Sequence, residues 1–137
     1  MHEKKAKGDI GVVFVIANLT EQGWNVSLPI TEHASYDLIA EKQGICKRVQ
    51  VRYTTPCNGS LRVKLRSCWS DKNGIHTRLR RTEDFDILAV FNPSSKESYF
   101  IDSKDFTNIS CLTLRLAETK NNQITGIRMV QEYRKMA

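Results

Sequence analysis

Apolar residues recur with two different periods along this chain. Between Lys7 and Gln22 they fall at Ile10, Val13, Phe14 and Ala17, three and four apart. That spacing predicts a helix with this stripe as its buried face and Gly23 just past its end. The β-branched residues in the segment are poor helix formers, so packing must supply most of its stability. Trp24 to Pro29, Tyr36 to Ala40 and Cys46 to Thr54 read instead as extended runs. Lys42-Gln43-Gly44 turns the second of these into the third as a hairpin. Ser60 to Cys68 alternates strictly, with Leu61, Val63 and Leu65 pointing one way and Arg62, Lys64 and Arg66 the other. Asp71-Lys72-Asn73-Gly74 marks a turn or loop. Phe85 to Phe91 is a near-continuous apolar run, as expected of a central strand covered on both faces. Ser98 to Ile101 is expected beside it, then a strand around Leu112 to Leu116, and Ile124 to Met136 is predicted to close the chain as a helix. One helix, a run of strands and a closing helix predict an α/β fold of the α+β, mixed-sheet kind.

Composition adds bounds to this outline. The 137 residues suit a single domain, 1–137, and no repeat, low-complexity tract or linker divides them. No apolar run approaches the roughly 18 residues that a membrane span requires, and no signal-like stretch follows the basic Met1 to Lys7. The expectation is a cytoplasmic, intracellular protein that binds no membrane. Cys46, Cys57, Cys68 and Cys111 show no CxxC spacing, and His2, His33 and His76 are equally scattered. That argues for a reducing compartment and against structural zinc. Cys46, Cys68 and Cys111 lie in strand-like patterns and are expected to be buried. Trp24 and Trp69 are expected in the core.

Charge sharpens the picture most. From Arg62 to Arg81 the cations Arg62, Lys64, Arg66, Lys72, Arg78, Arg80 and Arg81 face one anion, Asp71. Their excess equals the net charge of +6 on the whole chain, so the remainder balances to zero. A concentration of this kind points to a polyanionic partner, whereas the plain alternative is a solvated charged face. Arg62, Lys64 and Arg66 repeat at roughly 7 Å, twice the strand rise, which suits a β-ribbon along a DNA groove. The same charges also protect an edge strand from aggregation. Lys72 and the Arg78, Arg80, Arg81 cluster suit phosphate contacts. Lys120, Asn121 and Asn122 could add polar base or phosphate contacts.

Candidate chemistry lies outside the basic stretch. Asp37 sits at the start of the first hairpin strand, and Arg48, Gln50 and Arg52 share one face of the second. An acid beside a polar-x-cation triplet is what metal-assisted phosphodiester hydrolysis needs: oxygen ligands for Mg2+ and a cation for the charge that develops on phosphate. An Asp at a strand start is also a common capping residue, and periodicity alone does not decide between the two.

Lys7-Gly8-Asp9-Ile10-Gly11, Ser27-Leu28-Pro29, Tyr36-Asp37-Leu38-Ile39, Arg48-Val49-Gln50-Val51-Arg52-Tyr53, Ser70-Asp71-Lys72-Asn73-Gly74 and Lys120-Asn121-Asn122-Gln123 occur in that order. Together they resemble the group I intron-encoded homing endonucleases of the PD-(D/E)xK superfamily, over nearly the whole chain. The resemblance implies a restriction-endonuclease-like core with flanking helices, Mg2+-dependent cleavage of double-stranded DNA, and a homo-oligomer, dimer or tetramer, reading a long target. It implies Asp37 as the metal-binding acid, Gln50 at the (D/E) position and Arg52 at the Lys position. Relatives carry Lys at the last of these and often Glu where this chain has Val12. Arg remains a phosphate clamp but cannot lose a proton. Asp9, one turn before Val12, is the candidate substitute acid. An impaired, binding-only protein or a junction-resolving nuclease on the same fold is the alternative.

Overall fold

A helix, α1 (Glu3–Glu21), opens the chain, four residues earlier than the periodicity predicts. The computed structural model describes residues 3–79, 84–106, 109–116 and 128–136, with backbone alone at 66–71 and 75–79. The buried face of α1 is Gly11, Val15 and Leu19, and not the predicted stripe. Ile10, Val13 and Phe14 are 45%, 64% and 36% exposed. The true stripe repeats every four residues, but its first member is a glycine, with no side chain to register as apolar. That glycine lets the helix lie close on the sheet. A Cβ at Gly11 would stand 3.3 Å from Val51 Cγ1 and 3.7 Å from Tyr53 Cβ.

Among the described residues ten strands follow: β1 (Asn25–Ser27), β2 (Leu38–Lys42), β3 (Ile45–Tyr53), β4 (Ser60–Lys64), β5 (Arg66–Asp71), β6 (Gly74–Leu79), β7 (Ile87–Asn92), β8 (Glu97–Asp102), β9 (Cys111–Arg115) and β10 (Arg128–Met129). The main sheet has the order β1-β2-β3-β7-β8, with β3 and β7 parallel and its other pairs antiparallel. The hairpin β2–β3 turns at Gln43 and Gly44, both at positive φ (53° and 81°), the backbone twist that tight two-residue hairpins favour. Strand β7 is buried at all six positions, as its apolar run predicts.

The main sheet separates two cores. On one face α1 closes over Leu38, Ala40, Val49, Ile87, Ala89 and Phe100, with Trp24 buried among them as expected. On the other face Leu88, Val90, Tyr99 and Ile101 meet Leu61, Val63, Leu112 and Leu114. Those last four belong to a second, mixed sheet of order β10-β9-β4. Helix, sheet and sheet therefore stack as three layers. Each large apolar side chain so buried contributes on the order of 1.5–3 kcal/mol.

Three other expectations need correction. The alternating run from Ser60 to Cys68 is not one strand. It breaks at Leu65, so Arg62 and Lys64 lie on β4 in the second sheet, while Arg66 starts β5 in a separate two-stranded hairpin with β6. The closing helix is absent from the described residues: Arg128–Met129 pairs parallel to β9, and a single 3-10 turn, Val130–Tyr133, follows. Val130 enters one core and Met136 the other, which one straight helix lying on a single face would not achieve. Cys46 is exposed because it lies at the hairpin end of β3, beside the Gln43–Gly44 turn, and Cys111 is only partly covered because it alternates with the inward-facing Leu112 and Leu114 of β9. The side chains of Cys68 and Trp69 lie outside the description.

Candidate active site

Asp37 is the last residue before β2, and it is gripped by β3. Its amide donates to the carbonyl of Val49 at 2.9 Å, and its carboxylate Oδ2 accepts from the amide of Val51 at 2.7 Å. The β2–β3 register ends at Leu38–Val49, so Asp37 lies just beyond the last cross-strand pair and bonds to the residues on either side of Gln50. The two bonds therefore bracket Gln50. Oδ1 of Asp37 accepts no hydrogen bond from the described residues, which leaves it available to a ligand.

Asp37 opens on a cleft of about 420 Å³ whose other walls are Lys5, Gly8, Asp9 and Val12 of α1, Glu32, and Val51. Lys5, Gly8, Asp9 and Val12 fall along one side of the helix, at spacings of three and four. The loop that carries Glu32 and Asp37 is pinned where the Ser35 hydroxyl donates to the carbonyl of Asp84 at 2.7 Å. The structure thus brings together Asp37, Asp9 and Val12, three of the residues singled out in the sequence. It adds Glu32 and Lys5. Neither carries a periodic signal, since one sits in an irregular loop and the other in the basic start of the chain.

Gln50 and Arg52 are placed differently. Val49 packs under α1 and Val51 meets Gly11, so alternation turns Gln50 and Arg52 to the opposite face of β3. They pair there with Leu88 and Val90, which belong to the core beneath the second sheet. Oε1 of Gln50 is buried and accepts no hydrogen bond from the described residues. A buried amide oxygen of this kind carries a desolvation cost that a ligand would relieve.

Arg48, on the Gln50 face, is committed to Asp86. Its Nε lies 3.3 Å from Oδ2 and its Nη2 3.3 Å from Oδ1, while its backbone amide donates to Oδ2 at 2.8 Å. Partial burial pushes the Asp86 carboxyl up, but the bonds from Arg48 outweigh it and hold the group below the usual carboxylate range. The same bonds raise the Arg48 pKa. This pair ties β3 to the start of β7 next to the site, and sequence reading missed it because only the fold brings the two together.

The donors fit a hard cation in kind. The Asp37 and Gln50 oxygens, with the Asp9 and Glu32 carboxylates, are the ligand type that Mg2+ takes. Among the described residues no three His, Cys, Asp or Glu side chains converge as a ready-made cage. An ion here would depend on oxygens brought by substrate. Of the expected DNA contacts, Arg62 and Lys64 are exposed on β4 and Lys72 is exposed at the β5–β6 turn. The backbone places Arg66 and Arg78 on β5 and β6 of that hairpin. Arg80, Arg81, Lys120, Asn121 and Asn122 lie outside the described residues.

The sequence profile of the PD-(D/E)XK endonucleases matches residues 2–136. The chain belongs to the PD-(D/E)XK endonuclease family. Its structure is similar to that of the bacterial homing endonuclease I-Ssp6803I, with a TM-score of 0.78 and 26% identity over 97% of this chain and 89% of that one. No curated protein sequence matches it. The three-layer arrangement is accordingly a restriction-endonuclease-like fold. No described helix is long and apolar enough to cross a membrane.

Proposed function

We propose that this PD-(D/E)XK endonuclease hydrolyses phosphodiester bonds of double-stranded DNA at specific sites, in a Mg2+-dependent reaction of the homing type associated with group I introns. The observation that carries the reading is Asp37, held by two bonds to β3 on either side of Gln50, with Oδ1 accepting no hydrogen bond from the described residues and turned to a cleft it shares with Asp9 and Glu32. Asp37 and Gln50 would hold the ion around the start of β2, with Asp9 and Glu32 lining the cleft on which Asp37 opens. Such an ion supplies Lewis-acid polarisation of the phosphate and a more acidic bound water. Arg52 clamps a phosphate oxygen from the Gln50 face, and its planar fork suits that task.

Arg62 and Lys64 on β4, with the β5–β6 hairpin carrying Arg66, Lys72 and Arg78, supply the DNA-facing cations. Because the cations divide between two sheets, β4 and the hairpin would meet the duplex as separate contacts. One chain offers one such site, so cutting both strands calls for a homo-oligomer, a dimer or tetramer. A soluble protein of the cytoplasm fits this role.

One observation favours a second reading, a binding-only protein on the same fold: Val12 presents an apolar side chain to the cleft where a carboxylate would serve. A plasmid-nicking assay with Mg2+ separates the two. Nicking that is lost in Asp37→Asn supports the nuclease. Absence of nicking in the native chain, with recovery in Arg52→Lys or Val12→Glu, supports the binding protein.

A further inference from the structure

The cation expected beside the scissile phosphate is Arg52, yet alternation along β3 turns Arg52 away from the cleft that Asp37, Asp9 and Val12 share. A phosphate seated in that cleft still needs a positive partner on the α1 side. Hydrolysis places extra negative charge on the nonbridging oxygens as a water oxygen bonds to phosphorus and the bridging P–O bond breaks. The water proton passes to solvent and the leaving oxygen ends protonated. A fixed cation facing those oxygens lowers the barrier.

Lys5 is the one basic residue among the described lining residues of the cleft. It stands one helical turn before Asp9 and two before Val12, so a four-carbon stem can swing its ammonium group along the wall. Gly8, between them, leaves the wall open: a Cβ built there would meet nothing within 4 Å. The opening sits between the Lys5 turn and Val12, which gives a phosphate oxygen room to approach the ammonium group.

We propose that Lys5 is a catalytic residue of this endonuclease, facing the phosphate from α1 while Arg52 acts from the other side of β3. It takes no covalent part and transfers no proton; it neutralises developing charge. This rests on the reading of the Asp37 cleft as the place of hydrolysis.

The test compares single-turnover nicking of supercoiled plasmid in Mg2+ by the native chain and by Lys5→Met, Lys5→Arg and Asp37→Asn, with plasmid binding measured by gel retardation in Ca2+. Lys5→Met should slow nicking about 100-fold while changing binding less than about threefold, and Lys5→Arg should stay within about tenfold of the native rate. Native-rate nicking by Lys5→Met, with loss in Asp37→Asn, overturns the Lys5 assignment alone. Native-rate nicking by both variants overturns the cleft reading with it. If the native chain does not nick, amine acetylation followed by mass spectrometry still decides. Lys5 should be protected by bound plasmid relative to its neighbour Lys4, and equal labelling of the two overturns the proposal.

Discussion

The Asp37 carboxylate accepts the backbone amide of Val51 at 2.7 Å, a bond that a strand carbonyl would make if β2 continued. The side chain thus ends the β2–β3 ladder and is held in place by the act of ending it. Removal and replacement should therefore separate. Asp37→Asn keeps an acceptor for Val51 and is expected to change stability by less than about 1 kcal/mol while cutting nicking by roughly 100-fold or more. Asp37→Ala orphans the Val51 amide and should cost about 1–2 kcal/mol as well. Urea denaturation beside the nicking assay checks both.

Val12 lines the same cleft as Asp37 and Asp9. Val12→Glu adds a carboxylate to a site short of charged ligands, so Mn2+ affinity should rise by about tenfold. Isothermal titration without DNA measures this directly, and an unchanged affinity would show that position 12 does not face the ion.

The Arg48–Asp86 pair makes stability depend on pH. The folded-state pKa of Asp86 lies below that of the unfolded chain, so the pair's contribution is complete above the unfolded value, about 4. It is lost as pH falls through the lower, folded value. The two side chains are 35% and 43% exposed, so solvent screening limits the effect to roughly 0.5–1 kcal/mol. Asp86→Asn should be less stable by that amount at pH 7, and the gap should narrow steadily as the pH is lowered from 4.

The two faces of α1 should respond oppositely to charge. Val15 is fully buried and Val13 is 64% exposed. Val15→Asp should cost about 3 kcal/mol or more, whereas Val13→Asp should stay within about 0.5 kcal/mol. Thermal melts of the two variants would show at once which stripe is the packed one.

Lys72, exposed at the β5–β6 turn, is expected to touch a phosphate. Lys72→Ala should then flatten the dependence of log binding constant on log salt by about one unit.

What could be read from the chain depended on whether the signal was local. The β2–β3 hairpin was legible because Gln43-Gly44 stands between two extended runs, and β7 because every residue in it is buried. The face of α1 was not, since Gly11 hides the stripe it begins. The break at Leu65 was invisible for another reason: the alternation keeps its phase through the break, so pattern alone reads one strand. Asp37 stood out by motif resemblance, not by periodicity. Lys5 and Glu32 reach the cleft only because α1 lies close at Gly11 and a loop returns past it, and neither event has a sequence period.

The break at Leu65 also separates two lengths that one strand would have locked together. Leu65 is fully buried, and its amide is tied to the carbonyl of Ser110 at 2.8 Å, so it anchors the chain just before the β5–β6 hairpin begins. The pairing of β5 with β6 shares no hydrogen-bond register with β4 and β9. Residues added in matched pairs at the Lys72–Asn73 turn would lengthen this arm while every other strand kept its partner. The length of the hairpin is therefore an adjustable dimension, independent of the geometry that holds Asp37.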